Sequence, residues 1–327
     1  MHPLGLDSFL ENAGWGGAAV DPIPGDASFR RYFRIAGEGR NAMLMFAPPP
    51  EENPEPFLDV AHWLSENGQR APAIFAEDAA NGWVLIEDFG NDRMRDWLDD
   101  NPAAETATYR GAVDALVALH RKAAGPFAPY DMAVYQREAA LLTQWYCPAM
   151  GLNVDNKGYG AAWTQALSPL IKRQQAGVTV LRDYHAENIM LLDPAEDGTG
   201  AQGLIDFQDA LVGHPAYDLV SLLQDARREV SPELERSMLD HYCRKANPGD
   251  DFEADYALLG AQRNAKIVGI FTRLSKRDGK HHYPAMIPRV WEAMERDLKH
   301  PALLPVANWF AANIPRKIRD AFGGEVK

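Results

Sequence analysis

The feature that most constrains the fold of this chain is a polar turn between two short apolar runs. Residues 178–181 and 189–192 form the runs, and the turn holds Asp183, His185, Glu187 and Asn188. Apolar runs of this length, rich in β-branched residues, predict strands. A third run at 204–205 ends on Asp206. The pattern predicts a tight loop that carries Asp183 and Asn188, with Asp206 at the end of a neighbouring strand.

These three polar residues suit one kind of chemistry. Phosphoryl transfer from a magnesium nucleotide requires a carboxylate to receive a proton, and an amide and a carboxylate to hold the metal. We therefore predict Asp183 as the catalytic base and Asn188 and Asp206 as ligands of Mg²⁺, a hard cation that prefers oxygen donors. The order resembles the protein-kinase signature H-R-D-x4-N followed by D-F-G. Leu181 and Gln208 depart from it, which favours small-molecule kinases.

A longer resemblance covers most of the chain. The run IDFQDALVGHPAYDLVSLL at 205–223, in which I-D-F is followed after five residues by G-x-P-x-x-D-L, resembles the corresponding element of the aminoglycoside phosphotransferase and choline kinase superfamily. The segments GDASFRRYFRI, LRDYHAENIMLL and IPRVW are similar to the bacterial anomeric kinases that phosphorylate N-acetylmuramate and N-acetylglucosamine at C1 during cell-wall recycling. The resemblance runs from about residue 7 to residue 310.

The resemblance implies an α+β fold of the bilobal protein-kinase-like kind. A small β-rich N-terminal lobe (1–90) would bind nucleotide, and a larger, mainly helical C-terminal lobe (91–327) would carry the catalytic loop and the acceptor site. ATP and Mg²⁺ are the implied cofactors, and an amino sugar is the implied acceptor. His185 and Asp218 are expected to support the catalytic loop structurally.

The nucleotide-binding residues are predicted from position in the N-terminal lobe. Gly25, Ala27 and Ser28 occupy the place of a phosphate-covering loop, where successive backbone amides bind anions. The strand at 42–46 lacks the lysine that usually contacts the phosphates. Arginine can replace it, and strand alternation puts Arg30 and Arg34 on one face and Arg31 on the other. We predict nucleotide contacts from Arg30 and Arg31 and from two linker residues, Glu87 and Phe89.

A late basic cluster, RLSKRDGKHH at 273–282, stands out in a chain whose net charge is −13. Arg273, Lys276 and Arg277 are predicted to bind an anionic acceptor such as the carboxylate of N-acetylmuramate. A polycationic acceptor such as an aminoglycoside would be repelled there. The alternative is that the cluster is a solvated loop.

Hydrophobic periodicity, together with the residues that start and stop helices, predicts the remaining elements. Strands are expected at 29–35, 43–46 and 83–86. Helices are expected at 56–67, 95–100, 105–122, 134–146, 158–175 and near 218–228, followed by a helical C-terminal third.

Composition excludes several classes of function. The acidic balance argues against a nucleic-acid or membrane-surface binder. The chain lacks the uninterrupted run of roughly 18 apolar residues of a membrane helix, and its first residues do not resemble a signal peptide. Cys147 and Cys243 are isolated thiols, which favours a cytoplasmic location. Two alternatives stay open: another acceptor (an aminoglycoside, choline, homoserine or a different sugar), or a nucleotide-binding pseudokinase without turnover.

Overall fold

The structure, a computed structural model, describes residues 3–24, 29–193 and 202–326. In chain order its strands are β1 (Ala19–Ile23), β2 (Arg31–Gly37), β3 (Arg40–Phe46), β4 (Ile74–Asp78), β5 (Trp83–Glu87), β6 (Val178–Val180), β7 (Ile189–Leu191), β8 (Gln202–Leu204) and β9 (Leu211–Gly213). Its helices are α1 (Leu6–Asn12), α2 (Glu55–Glu66), α3 (Met94–Asp100), α4 (Glu105–His120), α5 (Met132–Ala139), α6 (Cys147–Ala149), α7 (Asn156–Arg173), α8 (Ala216–Leu223), α9 (Pro232–Ala246), α10 (Phe252–Asp278), α11 (Ile287–Asp297), α12 (Leu304–Asn313) and α13 (Arg316–Arg319).

The contacts divide the chain into two compact units. Unit 1 comprises Met1–Trp97 and Asn188–Asp209, and unit 2 comprises Leu98–Glu187 and Ala210–Lys327. A compact unit is defined by contacts rather than by independent folding, so the predicted domain boundary between residues 90 and 91 stays a prediction.

Unit 1 is built on an antiparallel sheet with the strand order β1-β2-β3-β5-β4. Apolar residues that alternate along the strands, such as Phe33 and Ile35 on β2, form a core with Trp83 and with Phe9 of α1. The structure confirms the predicted strands at 29–35, 43–46 and 83–86 with ends shifted by one to three residues. The edge strands β1 and β4 escaped prediction because few of their residues are buried, and both lack a clear apolar alternation.

A short hairpin belongs to unit 1 although it lies far along the chain. In it β7 and β8 pair antiparallel, with Ile189 opposite Leu204. The amide of Leu204 donates to the carbonyl of Arg70 (2.8 Å), and the amide of Leu191 donates to that of Asp92 (2.7 Å). These bonds fix the hairpin, and with it the residues at its two ends.

Unit 2 is mainly helical, and the 27-residue helix α10 is its central element. Packing is close enough at Gly269 that a Cβ there would lie 2.3 Å from the backbone of Leu141. The helix expected at 134–146 ends as α5 at Ala139 and is followed by a π-helical turn, Leu142–Tyr146. The helix expected near 218–228 is α8, and it stops at Leu223 because Asp225 caps the amide of Arg227 (2.8 Å).

The predicted α+β, protein-kinase-like fold class is confirmed: a small antiparallel sheet unit and a mostly helical unit are present. Within the described ranges, no helix combines the length and apolar character that crossing a bilayer requires.

Candidate active site

The loop that carries Asp183 is fixed to unit 2 through the carboxylate of Asp218. Asp218 lies in the first turn of α8 and is fully buried. Its two oxygens accept the backbone amides of Leu181 (2.7 Å) and Arg182 (2.8 Å). Arg182 has a positive φ of 71°, a conformation that is unfavourable for a residue with a Cβ. The two bonds from Asp218 stabilise this strained backbone directly before Asp183.

Burial dominates the ionisation of Asp218. Burial raises the pKa of this carboxyl, the two backbone hydrogen bonds lower it and the nearby charge of Asp183 raises it, and together these effects bring the pKa to about 7. Asp218 is therefore a carboxyl group that titrates close to neutral pH.

The side chain of Arg182 is held by a buried cluster of charges. Its guanidinium contacts Glu138 of α5, which also contacts the ammonium of Lys266 on α10 (3.1 Å) and the hydroxyl of Tyr130. The ammonium of Lys266 further donates to the hydroxyl of Tyr217 (3.3 Å). Burial raises the pKa of Glu138, but Lys266 and Arg182 lower it more, so the net shift is downward. Glu138 is thus a buried anion between two cations, which keeps it ionised.

Asp183 lies half-buried in this cationic setting. Burial raises its pKa, but the positive charges of Lys266, Arg263 and Arg182 outweigh that effect and lower it overall. An aspartate that is ionised at neutral pH can accept a hydrogen bond, and then a proton, from an acceptor hydroxyl.

His185 is buried beside Asp183. Its Nε2 lies 3.4 Å from Nη1 of Arg227, whose Nε pairs with Glu187 at 2.9 Å. Burial lowers the pKa of His185 to about 4, Asp225 raises it and Arg227 lowers it. The imidazole is therefore neutral at pH 7, which suits the structural role predicted for it.

Asn188 and Asp206 lie together at the open end of the β7–β8 hairpin in unit 1. Nδ2 of Asn188 donates to Oδ2 of Asp206 (3.3 Å), and the amide of Ile205 donates to the carbonyl of Asn188 (3.1 Å). Gln208, the residue that departs from the kinase signature, donates through Nε2 to Oδ1 of Asp206 (2.9 Å). Asp206 has a φ of 60°. The hairpin thus brings the two predicted metal ligands within hydrogen-bonding distance of each other.

This pair fits Mg²⁺ as a nucleotide enzyme uses it. In the described part of the chain, no cluster of three or more His, Cys, Asp or Glu residues has metal-binding geometry. Mg²⁺ retains water and substrate phosphates as ligands and takes only one or two protein carboxylates or similar oxygens. Asn188 and Asp206 supply that number.

The three arginines near β2 differ in their contacts. Nε of Arg30 lies 3.3 Å from the carboxylate of Glu52, and Arg31 stacks over the ring of Phe46 at 5.2 Å. Arg34 pairs with Asp88 at 2.7 Å. Arg30 and Asp206 both act on the ionisation of Tyr32, whose pKa is raised mainly by burial. Arg30 and Asp206 therefore both lie near Tyr32, which favours Arg30 over Arg31 as a phosphate ligand.

Glu87 and Phe89 are engaged by Arg70. Nη1 of Arg70 donates to Glu87 at 2.7 Å, and the guanidinium lies over the ring of Phe89 at 4.8 Å. A Cβ at Gly203 would come within 2.5 Å of that ring, so Phe89 packs directly on β8. Nucleotide binding by these two residues stays a prediction. Gly25, Ala27 and Ser28, the predicted phosphate-covering residues, lie outside the described residues.

The predicted acceptor residues Arg273, Lys276 and Arg277 lie in the last turns of α10 rather than in a loop. Basic residues at a helix C-terminus interact favourably with the helix dipole. Arg277 is exposed and pairs with its neighbour Asp278 at 2.7 Å. Arg273 is half-buried, and burial lowers its pKa. Part of the cluster is therefore explained by the end of the helix.

Sequence reasoning missed Glu138, Arg263 and Lys266. The available signal was charge in the interior of a long helix: Arg263 and Lys266 lie between the apolar runs of α10, with the polar residues Gln262 and Asn264 beside Arg263. Charged residues are rarely fully buried without a partner or a function. Glu138 gave no such signal, because α5 has an ordinary mixed composition.

Comparison with known proteins identifies the family of the chain. Residues 19–256 match the phosphotransferase enzyme family. The chain is 36% identical over 330 residues to an N-acetylmuramate/N-acetylglucosamine kinase of Pseudomonas aeruginosa, with 95% of each chain covered. It is 33% identical over 354 residues to the kinase of the same name from Caulobacter vibrioides, with 95% of this chain and 96% of the relative covered.

A solved structure shares the fold at low identity. The choline kinase LicA from Streptococcus pneumoniae superposes with a TM-score of 0.60 at 13% identity, covering 88% of this chain and 93% of that one. The extent of the family match and the two long alignments above 30% identity lead to one conclusion: the chain belongs to the phosphotransferase enzyme family.

Proposed function

We propose that this protein transfers the γ-phosphoryl group of ATP to the anomeric hydroxyl of N-acetylmuramate or N-acetylglucosamine, giving the sugar 1-phosphate. The observation that carries the proposal is the long similarity, over 95% of the chain, to two kinases named for these sugars. The ionised Asp183 and the Asn188–Asp206 pair supply the groups that such a transfer needs.

In the proposed mechanism Asp183 accepts the hydrogen bond of the acceptor hydroxyl and orients its oxygen towards the phosphorus. As the bond from the C1 oxygen to the γ-phosphorus forms and the bond from that phosphorus to the bridging oxygen of ADP breaks, Asp183 takes the proton of the hydroxyl and ADP leaves. Asn188 and Asp206 would hold Mg²⁺, and the bound metal would supply positive charge that neutralises the phosphates. Arg30 contributes a further positive charge from unit 1, where β3 offers Met43 and Met45 instead of a lysine. Catalysis is then mostly positioning and charge stabilisation.

The cellular setting is part of the proposal. The reaction would salvage amino sugars released during cell-wall turnover, and it would take place in the cytoplasm, where ATP is available. The two cysteines, Cys147 and Cys243, are free, as a reducing compartment favours.

A product screen tests the function. The protein is incubated with Mg-ATP and single acceptors: the two amino sugars, glucose, choline, homoserine and an aminoglycoside. Mass spectrometry should show a phosphorylated product only for the amino sugars. The methyl glycosides of the same sugars are the matched control, because their C1 oxygen is blocked, and they should give no product. Phosphorylation of a methyl glycoside would place the phosphate elsewhere, and turnover of choline or an aminoglycoside alone would replace the proposed acceptor.

A further inference from the structure

Arg263 is a buried cation in the middle of α10. Its side chain is 3% exposed, and among the described residues its Nη1 has no hydrogen-bond partner. Its charge nevertheless acts on the catalytic loop, since it lowers the pKa of both Asp183 and Asp218.

The neighbouring contacts of α10 explain this influence. Lys266, one turn beyond Arg263, contacts Glu138, which holds Arg182 of the loop. About two turns beyond Arg263, Phe271 lies under the guanidinium of Arg227, whose carbon is 5.8 Å from the ring centroid. Nη1 of Arg227 lies 3.4 Å from Nε2 of His185. This stretch of α10 therefore runs beside the loop that carries Asp183, and Arg263 lies at its start.

The guanidinium of Arg263 is buried without a full set of hydrogen bonds. Removing a charge and its N–H groups from water is unfavourable unless hydrogen bonds replace the lost solvation. The charge of Asp183 compensates part of the cost but leaves Nη1 unbonded. Arginine's planar set of donors matches a carboxylate, which it can bind through two parallel hydrogen bonds.

We propose that Arg263 binds the carboxylate of an acidic acceptor sugar and thereby sets the preference for N-acetylmuramate over the neutral N-acetylglucosamine. The inference rests on the proposed sugar-kinase function. The two sugars differ by the lactyl ether at C3, on the same ring as the C1 hydroxyl that Asp183 would orient. A cation beside Asp183 is therefore placed to read that difference. The exposed end of α10, where Arg277 is already paired with Asp278, is a weaker candidate.

The test compares kcat/KM for the two sugars, expressed as a ratio, in wild type and variants. Arg263→Gln should lower the ratio of N-acetylmuramate to N-acetylglucosamine by about 10- to 100-fold, the effect of losing a charge-assisted hydrogen bond. Arg263→Lys should restore part of it, because the charge returns without the planar donor set. Loss of charge near Asp183 slows both sugars alike, so the ratio isolates recognition of the carboxylate.

Two further variants serve as comparisons. Arg236→Gln removes an exposed arginine of α9 that is paired with Glu253, and it should leave the ratio unchanged. Arg273→Gln removes the best-placed residue of the basic cluster at the end of α10. If the ratio falls in Arg273→Gln but not in Arg263→Gln, the carboxylate is read at the helix end and the inference is wrong.

The outcomes separate the two proposals. A wild-type protein that phosphorylates neither sugar overturns the proposed function. A working enzyme whose ratio is the same in Arg263→Gln overturns the inference alone. Should Arg263→Gln fail to fold, wild type and Arg263→Lys are assayed with N-acetylmuramate and its carboxamide. The ratio of kcat/KM for the acid to kcat/KM for the carboxamide should be larger in wild type than in Arg263→Lys. Equal ratios overturn the inference.

Discussion

Asp183 owes its ionised state to the positive charges of Lys266, Arg263 and Arg182, and the first two lie on α10, outside any recognised sequence motif. Substitution by Asn keeps the size of the side chain but removes the base, so Asp183→Asn should lower kcat by about 10²-fold or more. Thermal unfolding and Mg-ATP binding should stay close to wild type, because two backbone hydrogen bonds to Asp218 anchor the loop. Turnover within a few-fold of wild type would remove Asp183 from catalysis.

The arginines near β2 should differ from one another in nucleotide binding. Arg30→Ala should weaken Mg-ATP affinity by about 1.5–3 kcal/mol, the range for a charge-assisted hydrogen bond. Arg31→Ala should change it by less than about 1 kcal/mol, as expected of an exposed residue. Arg34→Ala breaks the pair with Asp88 and should lower stability more than affinity. Isothermal titration calorimetry and thermal unfolding separate these effects.

Neutral results for all three arginines would show that the phosphates find no basic partner on this strand. A larger effect at Arg31 than at Arg30 would mean that the opposite face of β2 binds the nucleotide.

At the scale of elements, the ionisation of Asp218 on α8 makes the free energy of unfolding depend on pH. Because the pKa of this carboxyl is raised to about 7, mainly by burial, the folded state retains a proton that the unfolded chain releases near the ordinary aspartate pKa of 3.8. The contribution of Asp218 to stability is therefore full at low pH and declines as pH rises from about 4 to about 7.

Asp218→Asn makes this contribution measurable. The side-chain amide of the asparagine has an NH₂ group where Asp218 has an acceptor oxygen, and this NH₂ faces a backbone N–H. The substitution should therefore lower the free energy of unfolding by about 1–3 kcal/mol at pH 5. The difference between the free energies of unfolding of wild type and variant should become smaller towards pH 8, because at that pH only wild type carries a buried negative charge. Denaturant unfolding at both pH values checks this, and a difference that stays constant between pH 5 and pH 8 would show that Asp218 is ionised throughout this range.

Elements with strong local patterns were predictable, and those defined by distant contacts were not. The runs that became β2, β3, β5, β6 and β7 show their apolar character within a few residues. The edge strands β1 and β4 have little buried surface and exist because β2 and β5 offer them hydrogen-bonding partners. In the candidate site, Asp183, Asn188 and Asp206 follow from spacing, whereas Glu138 and Arg263 depend on helices that meet only in the folded chain.

At the scale of the whole molecule, ligand binding should raise thermal stability only when the metal site is intact. A ligand at 100 times its dissociation constant stabilises the folded state by about 2.7 kcal/mol. Mg-ATP should therefore raise the Tm of wild type by a few degrees, and ATP with a chelator should raise it less. Asp206→Asn should remove most of this difference, because it removes the negatively charged metal ligand.

Asn is the appropriate substitution because it tolerates the positive φ of residue 206 better than other residues with a Cβ except aspartate. The matched control is Asp209→Asn, a carboxylate outside the predicted metal pair. A magnesium-dependent rise in Tm that persists in Asp206→Asn would exclude Asp206 as a ligand.

The left-handed backbone at Asp206 also restricts how this protein can drift in evolution. A lineage that no longer needs phosphoryl transfer escapes selection on the charge of residue 206, but the hairpin still demands a residue that accepts a φ of 60°. Asn and Gly meet that demand, whereas β-branched residues do not. Descendants that have lost activity but kept the fold should therefore carry Asn or Gly at this position, and that exchange would mark them in a set of sequences before any assay is run.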